Sequence, residues 1–452
     1  MQPSSNSQVT AAAAATSSSF DWNNFAEQAI AGTLGLAPEV GSLLSALVYI
    51  LWPSQEDVWA EIEDQVEQLI QQDLSQLVQQ EVSANLQGLN NNLNSYLLAL
   101  KDGTGDPSYI SEKWNVANGD FLQQLPTFQM NGYQLLLLPL FAQFANMHLS
   151  VLRDGVVGGS QWGWTPDIIA QTQADLTSTI ASYTSYAQAT YSSGLNSVKS
   201  STKPNNNLAQ PFRSVNAYIR QMTLTVLDFM NMWQYFDVSK YPNGATVYLD
   251  REIYTDPQGT CDNSGNIMLP SAPTQPISQI SVWGWDRIDA VQLTYPAGGG
   301  PGGVTTTARM GDQNGGSNAP PHGGVFQVTN NPVVTAGGLS GDIINALVFT
   351  FADGTSSGDL GGNYPGGGPF SWSFPNEILS SIHINGVSSY YGSADCVVFG
   401  FKFTQPKSVN PPLDQLLYIT SPVLPEGATP TSDSDVVVRE SYWNHLALRT
   451  KS

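Results

Sequence analysis

The chain has 452 residues, 41% of them hydrophobic, which is enough for two or three domains with sizeable cores. Only 12% are charged, and 37 Asp+Glu against 16 Lys+Arg give a formal net charge of −21. That balance argues against nucleic acid, whose phosphates need a basic face, and disfavours simple electrostatic attraction to anionic lipid, so any membrane action must come from apolar insertion or a receptor.

Residues 1–19, "MQPSSNSQVTAAAAATSSS", lack the basic start and Leu-rich core of a signal peptide and read as a disordered Ala/Ser/Thr tail. Residues 20–237 are rich in Leu, Gln and Ala and read as six or seven helices. Apolar residues at 74, 78, 82, 86, 89, 93, 97 and 100 keep to one helical face. A further helix covers about Ser108–Leu125. The run "YQLLLLPLFAQFANMHLSVLRDG" follows. Its 22 residues from Tyr133 to Asp154 would span roughly 33 Å as a helix, near the thickness of a hydrocarbon core. Thr165 is a natural N-cap with Pro166 behind it, opening a helix to about Val198. The last helix carries the stripe Phe212, Val215, Ile219, Met222, Val226, Phe229 and Trp233.

The composition shifts near Tyr241, and residues 241–405 read as short strands between Gly-rich turns. "IDAVQLTY" (288–295), "INALVFTF" (344–351) and "CVVFGFKF" (396–403) share one alternating pattern and an aromatic ending. Three copies at a period near 50 point to three similar sheets around a pseudo-three-fold axis, a β-prism. Residues 406–452 form a tail that is expected to pack on the prism. Two cysteines, Cys261 and Cys396, allow at most one internal disulfide.

The apolar run at 133–154 has two readings. Gln134, Gln143, Asn146, His148 and Arg153 argue against a permanent span. A helix apolar nearly all round is usually buried on every side, so the plain reading is the core of a bundle. The other is that a bundle of amphipathic helices sheaths a membrane-competent rod and can release it into a bilayer. Gln143, Asn146 and Ser150 recur at steps of three and four and draw one polar line along it.

No enzyme signature is present. The four histidines, His148, His322, His383 and His445, form no H-x-x-x-H or H-E-x-x-H pair, and no G-x-S-x-G elbow occurs. "GGGPGG" (298–303) lacks the Lys-Ser/Thr ending of a phosphate loop. The reading is no catalysis, no cofactor and no metal.

"YQLLLLPLFAQFANMHLSVLRDGVVGGSQWGW" (133–164), "FRSVNAYIRQMTLTVLDF" (212–229) and "LDREIYTDPQGT" (249–260) closely resemble three blocks of the three-domain crystal insecticidal proteins, the delta-endotoxin family. The resemblance implies an α + β multidomain chain: a seven-helix bundle with a buried central fifth helix, then a three-sheet β-prism. It implies a soluble monomer that oligomerises in the insect midgut membrane after binding a surface receptor or glycan. The fourth and fifth helices would insert as a hairpin. Asn118, Asp120 and Gln123 on the fourth and Gln143, Asn146 and Ser150 on the fifth would line the pore. Arg153 and Asp154, with Arg213, Arg220 and Asp228 on the last helix, are expected to form ion pairs between helices.

Only about 45 residues follow the last repeat, so the family's third domain is not expected in this chain. Residues 277–403 also resemble jacalin-type lectins, whose sugar site is a Gly-x-x-x-Asp segment before the last strand. Ser393 and Val397 stand at those places, so that site is expected to be lost, whereas Asp289 and Asn345 hold the corresponding place in the first two repeats. Loop residues Asn318, His322, Asn363, Tyr364, Tyr390 and Tyr391 complete the receptor or glycan candidates. The alternative function is a defence lectin whose helices only oligomerise.

Overall fold

The structure, a computed structural model, describes residues 40–52, 75–101, 106–201, 209–242, 251–260, 272–362, 366–374, 377–387 and 392–403. The tails at 1–19 and 406–452 lie outside the described residues, as do Asn363, Tyr364, Tyr390 and Tyr391.

The helices are α1 (Ser42–Leu51), α2 (Gln76–Lys101), α3 (Pro107–Phe128), α4 (Gln134–Gly158), α5 (Pro166–Ser201) and α6 (Ala209–Met222). A π turn (Thr223–Leu227), a short helix α7 (Asp228–Met232) and a 3₁₀ turn (Trp233–Phe236) prolong α6 without a break. Local chemistry sets the starts. Asp106 caps α3 by accepting the Ser108 N–H at 2.9 Å, and Pro107 takes the first position, where no N–H is needed. Thr165 caps α5 through the N–H of Ile168 at 3.4 Å. Pro139 sits in the second turn of α4.

The stripes read from the sequence face inward. Val78, Val82, Leu86, Leu89 and Leu93 of α2 are buried, and the seam then passes to Tyr96 and Ala99 instead of Leu97 and Leu100. On the last helix Val215, Ile219, Met222, Val226, Phe229 and Trp233 are all buried. The π turn in the middle of this stripe was not expected. There Thr225 Oγ1 donates to the Gln221 carbonyl at 2.9 Å, competing with the regular ladder.

The second half is a three-sheet prism. Its strands are β1 (Ile253–Tyr254), β2 (Gln258–Gly259), β3 (Gln279–Gly284), β4 (Ile288–Thr294), β5 (Met310–Gly311), β6 (Gly324–Gln327), β7 (Val333–Ser340), β8 (Ile344–Phe351), β9 (Leu360–Gly361), β10 (Gly368–Trp372), β11 (Glu377–Val387) and β12 (Ala394–Phe403). They form the sheets β5-β4-β3-β6, β10-β7-β8-β9 and β1-β12-β11, with β2 also on β12. The three repeated segments are the second strands of the hairpins β3–β4, β7–β8 and β11–β12. Each is flanked by a two-residue strand ending in glycine: Gly311 opposes Ala290, Gly361 opposes Ala346, and Gly259 opposes Cys396. These glycines have φ of 104°, 89° and 94°, and a Cβ on any of them would collide with the carbonyl of the facing strand. Leu293, Leu347, Phe349, Val397 and Phe399 meet in one core between the sheets. Cys396 is disulfide-bonded, and the chain has one other cysteine, Cys261.

Candidate functional site

The central element is α4. Its 25 residues have an 18-residue window of mean hydropathy 1.6, and 94% of that window is buried. Among the described residues it is the one helix long and apolar enough to cross a membrane. α1, α3, α5 and the α6–α7 stretch surround it. Aromatic rings fill the gaps: Phe141 lies 5.2 Å from Tyr183 and 6.2 Å from Trp233, and Phe144 lies 5.1 Å from Phe121 and 4.5 Å from Phe128.

Buried polar groups on α4 are tied to the sheath. Asn146 donates to Gln143 Oε1 at 3.0 Å and accepts from Trp233 Nε1 at 2.8 Å. Ser150 Oγ donates to the Asn146 carbonyl at 2.6 Å. Gln143, Asn146 and Ser150 are thus linked along α4, and Asn146 ties them to the last helix through Trp233. Gln143 Nε2 is buried and has no partner among the described residues. His148 Nε2 meets Asn118 Oδ1 at 3.0 Å, an acceptor, so Nε2 carries the hydrogen and Nδ1 accepts from Tyr183 at 2.6 Å. Burial pushes the His148 pKa down to about 3, so the ring is neutral. Of the other expected lining residues, Asp120 accepts from Asn92 at 2.9 Å and Gln124 at 2.6 Å, and Gln123 is exposed.

Asp154 lies at the far end of α4. It accepts the N–H of Gly41, just before α1, at 3.0 Å and the Tyr96 hydroxyl of α2 at 3.2 Å. Burial raises its pKa to about 7, outweighing the Gly41 bond, the neighbouring Arg153 charge and the Tyr96 bond.

The expected helix-to-helix ion pairs are corrected. Among the described residues no ion pair joins two long helices; the cations and anions of the last helix reach the prism instead. Arg220 pairs with Asp256 at 3.1 Å and donates to the Tyr254 carbonyl at 2.8 Å, and Arg213 donates to the Pro257 carbonyl at 3.2 Å. Asp228 pairs with Arg251 at 3.1 Å, and Arg251 also meets Glu377 at 2.5 Å. All three are buried, and burial pushes the Asp228 pKa up to about 6 against the pull of Arg251. Arg251 and Glu377 were missed. Arg251 lies in the block 249–260 that carries the family resemblance, and nothing in the sequence marked Glu377.

The prism candidates divide. Asp289, Asn345 and Asp395 each precede the residue that faces the glycine of the short flanking strand, so Asp395 and not Val397 holds the equivalent place in the third repeat, and all three are buried. Asn345 donates to the Gly366 carbonyl at 2.8 Å, and Asp395 accepts from Thr260 at 3.2 Å. Burial and the Asp312 and Asp286 carboxylates raise the Asp289 pKa to about 6. His322 contacts the Gly361 carbonyl at 2.9 Å, and its ring lies 5.1 Å from Trp285, which is 63% exposed. Asn318 is exposed beside them in sequence. Trp285 is a surface residue that the sequence analysis did not single out.

Residues 29–237 match the delta endotoxin N-terminal domain. Over this helical half the chain is a delta-endotoxin relative. The pesticidal crystal protein Cry8Ba of Bacillus thuringiensis serovar kumamotoensis is 32% identical over 228 residues, 49% of this chain and 19% of that protein. Cry26Aa of Bacillus thuringiensis subsp. finitimus is 34% identical over 237 residues, 50% of this chain and 20% of that protein. The chain thus spans about one fifth of the length of these curated relatives. The solved structure of the insecticidal delta-endotoxin Cry8Ea1 from Bacillus thuringiensis superposes with a TM-score of 0.69 at 23% identity, over 85% of this chain and 74% of that one. That likeness extends the delta-endotoxin fold from the helical bundle into the prism.

Proposed function

We propose that this delta-endotoxin relative is an insecticidal pore-forming toxin. Its prism, about residues 241–405, binds a receptor or glycan on the insect gut surface. Its bundle, about residues 20–237, then delivers the α3–α4 hairpin into the membrane, where several copies assemble. The observation that carries this reading is α4 itself: a rod of membrane-spanning length and hydropathy, held inside a sheath of amphipathic helices. The named activity of Cry8Ba and Cry26Aa, pesticidal crystal proteins, supports it.

The hydrogen bonds favour α3 and α4 leaving together. Trp114 to the Val151 carbonyl, at 2.6 Å, and His148 to Asn118 both lie within the hairpin and travel with it. The contacts to Tyr183, Trp233, Tyr96 and Asn92 would break. Asn146 would lose Trp233 and Asp120 would lose Asn92, and with Gln143, whose Nε2 has no partner among the described residues, and Ser150 they would need water or one another, which a lumen supplies. Asp120 would favour cations there. Asp289, Asn318, His322 and Asn345, joined by the exposed Trp285, are the receptor or glycan candidates that the described residues offer.

The test is dye release from phosphatidylcholine vesicles by the whole chain, and by a variant with α4 cross-linked to α5 through an engineered disulfide. Wild type should release dye. The cross-linked variant should not, until reductant is added. Wild type with reductant is the control, because Cys396 is itself in a disulfide. Release undiminished by the cross-link overturns the reading. Agglutination of glycan-bearing vesicles without release favours the lectin alternative.

A further inference from the structure

We propose that Trp114, Trp162 and Trp164 form an interfacial collar, which seats the open end of the α3–α4 hairpin in the lipid headgroup layer and so sets its depth. This rests on the insertion reading above. The partner is the polar–apolar boundary of a bilayer, where an indole ring buries its face and hydrogen-bonds through its N–H.

The three rings cluster at the end of the hairpin away from its turn. Trp114 and Trp164 pack edge to face at 4.8 Å, and Trp162 and Trp164 at 5.3 Å. Their polar bonds stay within the hairpin: Trp114 donates to the Val151 carbonyl of α4 at 2.6 Å, and Trp164 to Ser111 Oγ of α3 at 2.7 Å. Each ring also rests on its own glycine. A Cβ on Gly155, Gly158 or Gly159 would lie 2.7, 2.6 or 2.5 Å from ring atoms of Trp114, Trp162 and Trp164 respectively. Trp162 also packs edge to face on Tyr96 of α2 at 6.2 Å, a contact that insertion would break, whereas Trp114 and Trp164 keep their bonds and move with α3 and α4. If filling that corner were the whole need, Leu or Phe would do it with no N–H to satisfy.

The spacing matches a membrane. From Gln134 at the start of α4 to Arg153 is 19 residue steps, about 29 Å of helix, against roughly 30 Å of hydrocarbon. Arg153 and Asp154, the two charged residues of α4, fall at the same level as the rings. Aromatic and charged groups thus gather one hydrocarbon thickness from the hairpin turn, and a turn-first insertion stops when they reach the headgroups.

Dye release measured across phosphatidylcholines of increasing chain length tests this. Wild type should release dye fastest where the hydrocarbon is about 30 Å thick, by about fivefold over bilayers some 10 Å thicker. The double variant Trp162→Phe/Trp164→Phe should lose that preference, and Trp162→Tyr/Trp164→Tyr, which keeps a polar tip, should retain it. A nitrobenzoxadiazole label on Ser160→Cys, an exposed site, should be quenched at headgroup depth in wild type and at scattered depths in the Phe variant. If the double Phe variant does not fold by circular dichroism, Trp164→Phe alone, at a half-buried ring, carries the comparison. An unchanged thickness profile and label depth in the Phe variant overturns the collar and leaves insertion standing. No release by wild type at any thickness overturns insertion and the collar together.

Discussion

Asp154 ties three helices together from inside the core, through Gly41 and Tyr96. Its folded pKa, about 7, stands above the ordinary 3.8, so the folded state binds its proton more tightly. The contribution of Asp154 to stability is therefore full at acid pH, declines as pH rises from about 4 to about 7, and is flat above. Asp154→Asn keeps an acceptor for Gly41 and removes the charge. Its melting temperature at pH 8 should exceed that of wild type by roughly 5 °C, with little difference at pH 4, by thermal denaturation. His148 has the opposite sign. A neutral buried ring with its pKa near 3 loses stability as pH falls below about 6.5. Tyr183→Phe, which strips its hydroxyl partner, should cost about 1–2 kcal/mol by chemical denaturation. At this scale the sequence showed the polar line Gln143, Asn146 and Ser150, because spacing is local. It could not show that Trp233 answers it 87 residues later.

Among the elements, α5 depends on closeness to its neighbours. Gly194 sits where a Cβ would collide with the Tyr218 hydroxyl and Leu135 Cδ1. Gly194→Ala should destabilise the chain by about 1–3 kcal/mol, read from a urea transition, because the Tyr218 bond to the Tyr191 carbonyl must also shift. Helix faces were legible because burial repeats with the helical period: the inward residues of α2 and of the last helix follow their stripes. The π turn was not legible. Steps of three and four continue through it, and one extra residue per turn hides within that tolerance. The prism strands were legible through repetition, since each repeated segment became the second strand of a hairpin. The short partner strands ending in Gly259, Gly311 and Gly361 were not, because two residues carry no period.

Across the whole molecule, the last helix is fastened to the prism by Arg251 between Asp228 and Glu377. Removing one member of a buried cluster leaves the others uncompensated, which costs about 3–5 kcal/mol. Arg251→Ala should therefore separate denaturation into two transitions, with helical circular dichroism and prism tryptophan fluorescence no longer coincident. A single coincident transition of unchanged midpoint would show that apolar contact alone couples the halves. The sequence placed charges on the last helix correctly but paired them with other helices, because helix-face geometry says nothing about what lies beyond the bundle.

The sequence by itself determined the helical half, the strand repeats and the one rod apolar enough for a bilayer, since each rests on periodicity or composition that neighbours in the chain carry. Only the tertiary structure decided what sheathes that rod, which groups its buried polar atoms meet, and that the last helix is pinned to the prism. Those are meetings between residues far apart in the chain, and packing and desolvation, not local propensity, select them.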